Sequence, residues 1–319
     1  MTLYTFGKYL KQTFGKPVRK ISIDAGFTCP NRDGTVAKRG CTFCNNRSFS
    51  EGTAYRRQSV REQIEAGIDR LRHSRHNTDA FLAYFQSFSN TYAPVDVLES
   101  LYDAALTVEG VVGLDIATRP DCVSDEVLDL LQGYAQKTHL WLELGLESSH
   151  DSTLSRINRG HTWAQFEDAV RRLSGRGINL CVHLILGLPG ETPTMMRETA
   201  QRLGELISQV DLPTFGIKLH HLHIVKGTVL AWEYKAGRVE TLTPHAYVCL
   251  ACDVLERLPR NTVVQRFVGD TLGDTLIAPR WEVTKSEILQ AIATEFEARN
   301  TYPGALMENR SLLTASSQL

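Results

Sequence analysis

The chain has 319 residues, of which 42% are hydrophobic, and a formal net charge of -1 at pH 7. This length permits one large or two ordinary domains, and the apolar content is enough for a substantial core. No apolar run approaches the length of a membrane span, and residues 1–16 lack the uninterrupted apolar segment of a secretion signal. We therefore expect a cytoplasmic protein without a membrane segment.

The charges are distributed unevenly along the chain. Residues 1–76 contain 15 Lys and Arg against 6 Asp and Glu, a net charge of +9, whereas the remainder carries 20 against 30, a net charge of -10. Such a basic segment is typical of proteins with a phosphate-rich partner. The alternative is that its arginines only form the solvated faces of one helix and its leader: Arg56, Arg57, Arg61, Arg70, Arg72 and Arg75.

Short apolar stretches alternate with helical patterns over the first 230 residues. The first strand contains Val18, Ile21 and Ile23, and five more are predicted at Phe81–Phe85, Gly113–Ala117, Leu140–Leu146, Leu180–Leu186 and Phe215–Leu219. The first helix should begin after Ser59, because Glu62 follows it at the spacing of a capping box. Strands separated by helices indicate parallel βαβ units. We expect an α/β fold, a partial (β/α)6 TIM-like barrel.

The pattern changes after Leu230. A helix is predicted at Tyr247–Leu258, a strand at Val263–Val268 and another helix near Ser286–Arg299. We interpret residues 1–230 as the core barrel with its N-terminal cysteine loop, and residues 231–319 as a C-terminal α/β extension packed on the barrel. The polar residues 308–319 are expected to form a frayed tail.

Cys29, Cys41 and Cys44 lie within 16 residues directly after the first strand, with the spacing C-x11-C-x2-C. Clustered cysteines in a cytosolic chain indicate metal binding or redox chemistry rather than a disulfide. A structural zinc is normally closed by four protein ligands, whereas a reactive iron or zinc centre keeps one position for substrate or cofactor. Because no fourth cysteine or histidine lies nearby in the sequence, we predict a metal centre with an incomplete protein ligand set.

The stretches CPNRDGT at residues 29–35 and RGCTFC at 39–44 resemble the YhcC-like family of radical S-adenosylmethionine (SAM) enzymes. The radical SAM domain of this family is similar to that of the elongator catalytic subunit. The generic radical SAM loop is C-x3-C-x2-C, and the longer first spacing is characteristic of the elongator-like group. The resemblance implies a [4Fe-4S] cluster on Cys29, Cys41 and Cys44, with SAM on the fourth iron and Phe43 beside the adenine.

The resemblance also implies the reaction. SAM would be cleaved reductively to a 5′-deoxyadenosyl radical that abstracts hydrogen from the substrate, with electrons from a flavodoxin- or ferredoxin-like donor. The elongator resemblance and the basic first quarter of the chain suggest that the substrate is tRNA, at an aminomethyl-type side chain of the wobble uridine. A small-molecule or protein substrate is the alternative.

Polar residues follow the predicted strands, where the loops of a parallel barrel build the active face. By resemblance, SAM contacts are expected at the ends of strands two to five, at Ser87, Ser89, Asn90, Arg119, Glu147, Gly187 and Gly190. Each of these residues could instead have a purely structural role. Serine, asparagine and glycine form turns routinely, and Arg119 would equally suit a surface beside a proline turn. Glu143 and Glu147 alternate with Gly145, so all three are expected on one strand face, where the carboxylate pair would also suit acid/base chemistry.

Three further patterns remain open. Residues 158–161 match the NRGH stretch of elongator-like enzymes, either as a helix cap or as a substrate or SAM contact. His220, His221 and His223 are more typical of hydrogen-bonded core or substrate-site groups than of a second metal site. Lys218, which precedes them, would suit a phosphate or carboxylate.

A non-enzymatic alternative uses a second C-x2-C pair, Cys249 and Cys252. Together with Cys41 and Cys44, it would make a four-thiolate zinc site in a nucleic-acid-binding module. Against this, the second pair lies in a helical apolar pattern, where buried cysteine acts as a small hydrophobe, and Cys29 would be unexplained. A flavin or nicotinamide dehydrogenase is unsupported, because no G-x-G-x-x-G follows a strand.

Overall fold

A computed structural model describes residues 3–73 and 78–308 of the chain. Arg75 and residues 309–319 of the expected tail lie outside this part. None of the helices in the described ranges combines the length and apolar character needed to cross a membrane.

Nine strands and twelve α-helices alternate along the described chain. The strands are β1 Arg19–Ile23, β2 Phe81–Phe85, β3 Val111–Thr118, β4 His139–Glu147, β5 Asn179–Leu186, β6 Phe215–His221, β7 Ile224–Val225, β8 Val263–Arg266 and β9 Leu276–Ala278. The helices are α1 Phe6–Phe14, α2 Pro30–Asp33, α3 Asn46–Phe49, α4 Val60–Arg72, α5 Val95–Leu106, α6 Asp125–Ala135, α7 Asp151–Arg156, α8 Trp163–Leu173, α9 Pro193–Ile207, α10 Val229–Lys235, α11 Pro244–Glu256 and α12 Lys285–Ala298.

Seven strands form one parallel sheet in the order β1-β2-β3-β4-β5-β6-β8, and β7 pairs with β9 in a small antiparallel ribbon. The sheet curls into a half-barrel, so the predicted partial TIM-like barrel is confirmed. The seventh strand, β8, lies in the region predicted as the extension. The boundary at residue 230 stays a prediction.

The strands could be read from the sequence because both of their faces are buried. All five residues of β2 are buried, and its predicted bounds agree with the structure. Parallel strands covered by helices on one side and by the barrel interior on the other form nearly continuous apolar runs. Their side chains join one large core, to which Ile23, Phe85, Leu142 and Val182 belong.

Local signals fix the first barrel helix, α4. The Ser59 hydroxyl accepts a hydrogen bond from the Glu62 amide at 3.2 Å, and the Glu62 carboxylate accepts one from the Ser59 amide at 2.7 Å. The predicted capping box is therefore confirmed. It satisfies two backbone amides that the first helical turn leaves without partners.

The N-terminal helix α1 covers the amino ends of the strands. Phe6 and Tyr9 pack edge-on against Trp141, with ring centroids 5.7 and 5.4 Å apart. The Val264 amide at the start of β8 donates to the Tyr4 carbonyl at 2.8 Å. One opening of the half-barrel is thereby covered, and the carboxyl ends of the strands face the other.

Candidate functional site

A cavity lies at the carboxyl ends of the strands, under the cysteine loop. About 1220 Å³ of free space lies within its outline, a volume that includes open solvent at its mouth. Seven of the eleven predicted site residues line it: Cys29, Cys41, Phe43, Cys44, Ser89, Arg119 and Glu147. The fold thus brings the loop after β1 together with the ends of β2, β3 and β4.

The cysteine loop turns back on itself. Cys29 precedes α2, whose Arg32 and Asp33 amides donate to the Cys29 carbonyl at 2.8 and 3.1 Å. Gly34 and Gly40 have φ angles of 99° and 76°, a region that glycine adopts without a steric penalty. A Cβ on Gly40 would also lie 2.8 Å from Arg32 Nε. The chain therefore returns with Cys41 and Cys44 on the same cavity as Cys29.

One side of the loop is anchored by the segment after α7. The Thr42 amide donates to the Ile157 carbonyl at 2.9 Å, and Asn158 Nδ2 donates to the Gly40 carbonyl at 2.7 Å. Asn31 Nδ2 donates in return to the Asn158 carbonyl. The start of the NRGH stretch therefore holds the cysteine loop in place.

The other side of the loop is tied to the chain around α10. The Leu230 amide donates to the Thr42 carbonyl at 3.1 Å, and Asn45 Nδ2 donates to the Lys226 carbonyl at 2.9 Å. Two segments distant in sequence therefore hold the loop from opposite sides.

Arg159 links the loop to the sheet. Its Nη2 donates to the Gly145 carbonyl at 2.7 Å and lies 3.3 Å from Glu147 Oε1, while its Nη1 lies 3.6 Å from Cys41 Sγ. A Cβ on Gly145 would overlap the guanidinium, so a larger residue here would displace Arg159. Arg159 therefore contacts a loop cysteine, the end of β4 and Glu147 with one guanidinium.

The Arg119 guanidinium is already occupied by protein groups. Its Nε and Nη2 donate to both carboxylate oxygens of Asp121 at 2.9 and 2.8 Å, and its Nη1 donates to the Arg159 carbonyl at 2.7 Å. Arg119 therefore holds the backbone of Arg159 in place through this hydrogen bond. A direct contact between Arg119 and SAM stays a prediction.

Glu147 reaches the cavity from an unusual backbone conformation. Its φ is 68°, and the pairing of β4 with β5 shifts register between Gly145 and Glu147, which interrupts the expected regular alternation. A non-glycine residue at positive φ costs about 1–3 kcal/mol and is most often found at functional sites. Burial raises the pKa of Glu147, although Arg159 and Arg119 act in the opposite direction.

Ser87 and Asn90 do not line the cavity. Ser87 Oγ donates to Ser50 Oγ at 2.8 Å, and Asn90 Nδ2 donates to the Phe85 and Ala117 carbonyls at 3.0 and 2.7 Å. The Asn90 bonds hold the ends of β2 and β3 together, and the Ser87 bond ties the end of β2 to Ser50, as the turn-forming alternative expects. Their contact with SAM stays a prediction.

Gly187 and Gly190 also lie outside the cavity lining. Their φ angles of 85° and 84° explain the glycines in the loop after β5. Gly187 packs beneath Leu242, whose Cγ would lie 2.9 Å from an added Cβ, and Gly190 is exposed. The ordinary-turn alternative accounts for both positions, and a SAM contact stays a prediction.

Glu143 lies below the cavity and is fully buried. Its carboxylate accepts hydrogen bonds from Lys20 Nζ at 2.9 Å, from Tyr84 Oη at 3.0 Å and from Lys218 Nζ, and it lies 2.9 Å from His183 Nε2. Burial alone would raise the pKa of Glu143, but the two lysines outweigh it and hold the pKa well below its usual range. The Lys218 ammonium is therefore already paired within the protein.

His221 at the end of β6 and His223 just after it follow the hydrogen-bonded alternative. His221 and His223 have their Nε2 atoms 2.7 Å apart, and the His221 ring stacks on Trp281 with centroids 3.9 Å apart. Burial lowers the pKa of His221 to about 3 and that of His223 to about 4. Their Nε2 atoms are thus engaged with each other, whereas the buried His221 Nδ1 has no hydrogen-bond partner among the described residues. All three histidines, including His220, line the cavity.

The loop cysteines do not have the close spacing of ligands to a single ion. In the described ranges, the group of three His, Cys, Asp or Glu whose ligand atoms lie within 4.8 Å of one another is Glu143, Cys181 and His183. The three loop sulfurs do not all lie within this distance of one another, whereas thiolates on one tetrahedral zinc lie about 3.8 Å apart. A [4Fe-4S] cluster, which gives each cysteine its own iron, fits this spread. The buried Ser89 Oγ, which has no hydrogen-bond partner, adds a free polar group at the cavity.

The second C-x2-C pair lies elsewhere, between α11 and α12. Cys252 Sγ donates to the Ile292 carbonyl at 3.7 Å, and Cys249 Sγ lies 3.6 Å from Glu295 Oε1. Neither cysteine lines the cavity. The four-thiolate zinc alternative is therefore wrong.

Comparison with known proteins identifies the chain. Residues 33–203 match the Radical SAM superfamily, and residues 214–298 match the Radical_SAM C-terminal domain. The chain is 41% identical to YtqA of Bacillus subtilis (strain 168) over 305 residues, which covers 96% of this chain and 92% of YtqA. It is 41% identical to YhcC of Escherichia coli (strain K12) over 277 residues, which covers 86% of each protein. The chain belongs to the radical SAM superfamily.

Its membership confirms the predicted YhcC-like family and the predicted cofactors, a [4Fe-4S] cluster and SAM. A solved structure shares the radical SAM fold: the archaeal Methanocaldococcus infernus Elp3 with an N-terminal deletion, at a TM-score of 0.67 and 18% identity. The alignment covers 90% of this chain and 64% of the Elp3 chain. At this identity the likeness concerns the fold alone.

The sequence patterns did not single out every residue that lines the cavity of this radical SAM enzyme. Tyr84, Phe88, His183, Arg266 and Asp270 line the cavity, but none belongs to a recognisable motif. Phe88 could have been predicted from the sequence, because it lies between two predicted site residues after β2. Arg266 could not have been predicted, because its position in the cavity depends on the pairing of β8 with the sheet.

Proposed function

We propose that this radical SAM enzyme acts on tRNA and abstracts a hydrogen atom from the side chain of the wobble uridine. When bound, the cluster and SAM supply a 5′-deoxyadenosyl radical, which removes hydrogen from unactivated carbons. The residues of the chain hold these cofactors, admit the substrate and exclude water. The choice of tRNA extends the resemblance of the cysteine loop to the elongator catalytic subunit.

The observation that carries the tRNA proposal is the basic surface of the cysteine loop and the turn after it. Six exposed basic residues lie there: Arg32, Lys38, Arg39, Arg47, Arg56 and Arg57. Between residues 29 and 57 they are opposed by only two acidic residues, Asp33 and Glu51. Such a surface gains affinity for nucleic acid by releasing counterions. Because Arg32 also lines the cavity, the basic surface reaches the site itself.

An aromatic side chain at the cavity supports the same proposal. The guanidinium carbons of Arg32 and Arg56 lie 5.8 and 5.1 Å from the centre of the Phe88 ring, and Phe88 lines the cavity at a φ of 68°. Proteins that bind unpaired nucleotides combine aromatic rings, on which bases stack, with arginines. This arrangement suits a base drawn out of an anticodon loop.

The proposal assigns cofactor roles to the residues at the cavity. Cys29, Cys41 and Cys44 would hold the cluster, and Phe43 would pack beside the adenine. Glu147 would contact the ribose or methionine part of SAM, and Ser89 the methionine amino group. The unpartnered Ser89 hydroxyl and the strained backbone of Glu147 support these roles.

We also propose the setting in which the enzyme works. It would act in the cytoplasm, where tRNA is found, and would receive electrons from a flavodoxin- or ferredoxin-like protein. Residues 1–230 would bind the cofactors, and residues 231–319 would pack against them and complete the substrate wall.

The decisive experiment compares tRNA nucleosides from a wild-type strain and a strain lacking the gene. We expect one modified uridine to disappear from the deletion strain and its precursor to accumulate. Anaerobically purified enzyme with SAM and a reductant should then convert the precursor in tRNA from the deletion strain, forming 5′-deoxyadenosine. An unchanged nucleoside profile would contradict the tRNA proposal and favour a small-molecule or protein substrate.

Charge reversal tests the basic surface separately. The double variant Arg47→Glu and Arg57→Glu should weaken tRNA binding about tenfold or more at low salt, because it removes two phosphate contacts. The matched control is Lys137→Glu, which lies before β4 at the opposite end of the barrel. Equal binding by both proteins would show that tRNA does not use the cysteine-loop surface.

A further inference from the structure

One part of the cavity wall is built by β5, β6 and β8. It presents His183, His220 and Arg266, together with Asp270 from the loop after β8. The cofactor roles proposed for cavity residues fall on the cysteine loop and at the ends of β2 and β4. The β5–β6–β8 wall carries none of these roles and is therefore available for substrate.

Arg266 differs from the other arginines of the cavity. Arg32 donates to the Cys44 carbonyl at 3.1 Å, and the guanidinium groups of Arg119 and Arg159 are held by Asp121, Glu147 and backbone carbonyls. The Arg266 guanidinium, in contrast, has no hydrogen bond or ion pair with any group in residues 3–73 and 78–308. Its five N–H donors remain available.

The groups around Arg266 do not neutralise it. Asp270 also lines the cavity, but its carboxylate is paired with Lys285. His220 is kept neutral, because burial and the nearby charge of Arg266 hold its pKa well below the usual range. Lys218, its neighbour on β6, is bound to Glu143 and Tyr84. A partly buried guanidinium without a protein anion carries a desolvation cost that a bound anion would offset.

We propose that Arg266 forms an anion subsite for the substrate on the β5–β6–β8 wall of the cavity, with His220 beside it. The planar guanidinium would bind a carboxylate or a phosphate oxygen through two parallel hydrogen bonds. Such an anchor would hold the substrate in the same cavity that the cysteine loop lines. This inference rests on the proposed function only in that tRNA would be the molecule carrying the anion.

The test compares Arg266→Gln with Arg266→Lys and with the control Arg260→Gln. Arg260 lies just before β8, and its side chain is 67% exposed. Iron and sulfide content and the unfolding midpoint of each holoenzyme report whether the variant has folded. The substrate is tRNA from the deletion strain, and both KM and kcat for its modification are measured.

We expect Arg266→Gln to raise KM roughly 10- to 100-fold, the usual effect of losing a charge-assisted hydrogen-bond pair. Arg266→Lys should recover part of this loss, because it keeps the charge but not the fork. Arg260→Gln should behave as the wild type. If Arg266→Gln and Arg260→Gln gave the same KM, the subsite would be refuted.

The salt dependence of tRNA binding separates the two sources of the anion. If Arg266 binds a backbone phosphate, Arg266→Gln should lower the slope of log affinity against log salt by about one. If it binds a carboxylate on the nucleoside, the slope should stay the same while KM rises. Either outcome supports the subsite and identifies its ligand.

The subsite can also be tested if tRNA proves not to be the substrate. Acetate and inorganic phosphate would then serve as probes, by their effect on SAM cleavage measured as a ratio of rates with and without the anion. A response in the wild-type enzyme that is lost in Arg266→Gln would support the subsite although the tRNA proposal had failed. The same ratio in both proteins would refute it.

Discussion

Arg159 Nη1 lies 3.6 Å from Cys41 Sγ, while Nη2 of the same guanidinium donates to the Gly145 carbonyl at 2.7 Å. A single side chain therefore joins a cysteine of the cysteine loop to the end of β4. The guanidinium also faces Glu147, whose carboxylate is buried. The position of the thiol and the neutralisation of the carboxylate thus depend on the same residue.

Arg159→Gln should destabilise the protein by about 2–4 kcal/mol, because it leaves the Glu147 carboxylate buried without its partner. The double variant with Glu147→Gln should lose less than the sum of the single changes, since the pair is coupled. Urea denaturation measures all three. The control is Arg61→Gln on α4. The ion pair of Arg61 with Glu65 is exposed and should contribute about 0.5 kcal/mol or less to the free energy of unfolding. Additive effects at Arg159 and Glu147 would show that the two side chains do not interact.

Replacing any one of Cys29, Cys41 and Cys44 by alanine should abolish cluster loading. In the proposed assignment each thiol would bind one iron, so the remaining two could not hold a stable cluster. Anaerobic iron and sulfide analysis should show a loss of most of the metal, and 5′-deoxyadenosine formation should cease. Cys249→Ala in α11 is the matched control and should keep both. Full iron loading in any of the three loop variants would contradict the ligand assignment.

Gly145→Ala and Gly133→Ala should change stability in opposite directions. A Cβ at Gly145 would overlap the Arg159 guanidinium, which should cost about 1–3 kcal/mol and displace Arg159. A Cβ at Gly133, inside α6, would meet nothing within 4 Å, and alanine should stabilise the helix by about 0.5–1 kcal/mol. Thermal unfolding of the two variants checks both signs. A neutral Gly145→Ala would mean that Arg159 moves aside freely.

Lys218→Met should destabilise the fold by about 3–5 kcal/mol. The Glu143 carboxylate is fully buried and would keep only Lys20 as a charged partner after this change. Lys226→Met is the control, because the Lys226 side chain is 56% exposed. Its ion pair with Asp274 should contribute less than about 1 kcal/mol to the free energy of unfolding. The two free energies of unfolding are read from urea curves. Equal losses would indicate that Glu143 takes up a proton at little cost.

His139 should make the protein sensitive to acid. Its Nε2 accepts a hydrogen bond from Trp141 Nε1 at 3.0 Å, and burial lowers the pKa of His139 to about 4. As the pH falls, the His139 imidazole of the unfolded chain is protonated near pH 6.5, whereas in the folded protein it is protonated only near pH 4. Stability should therefore fall as the pH drops from 6.5 to 4, by up to about 3 kcal/mol from this residue.

His139→Gln keeps an acceptor for Trp141 but cannot be protonated, so it should make the fall in urea midpoint between pH 7 and 5 less steep. The buried His221 and His223, whose pKa values are also lowered, account for the part of the fall that remains. His245→Gln, on the exposed side of α11, should leave the pH dependence as in the wild type. If both variants showed the same slope, the charge of His139 would not limit stability in acid.

The sequence predicted the barrel well because its signals are local. The strand Phe81–Phe85 and the capping box at Ser59 depend on neighbouring residues only, and both agree with the structure. The pairing of β8 with β6 could not be predicted in this way. It joins segments separated by two helices, and the apolar pattern of Val263–Val268 does not specify a partner.

The site was only partly predictable for the same reason. The spacing of Cys29, Cys41 and Cys44 carries its chemistry in the sequence, and all three line the cavity. The partners of Lys218 are not encoded locally, because Glu143 and Tyr84 come from two other strands. The register shift before Glu147 likewise depends on how β4 packs against β5.

The hydrogen bonds from Thr42 to Ile157 and from Leu230 to Thr42 have a consequence for how the enzyme matures. A nascent chain on the ribosome cannot hold its cysteines in place until residue 230 has emerged and folded. Iron delivery should therefore follow synthesis and folding of the first 230 residues, and the assembly factors that donate the cluster should meet a loop already held from both sides. A truncated translation product would remain colourless even with all three thiols present.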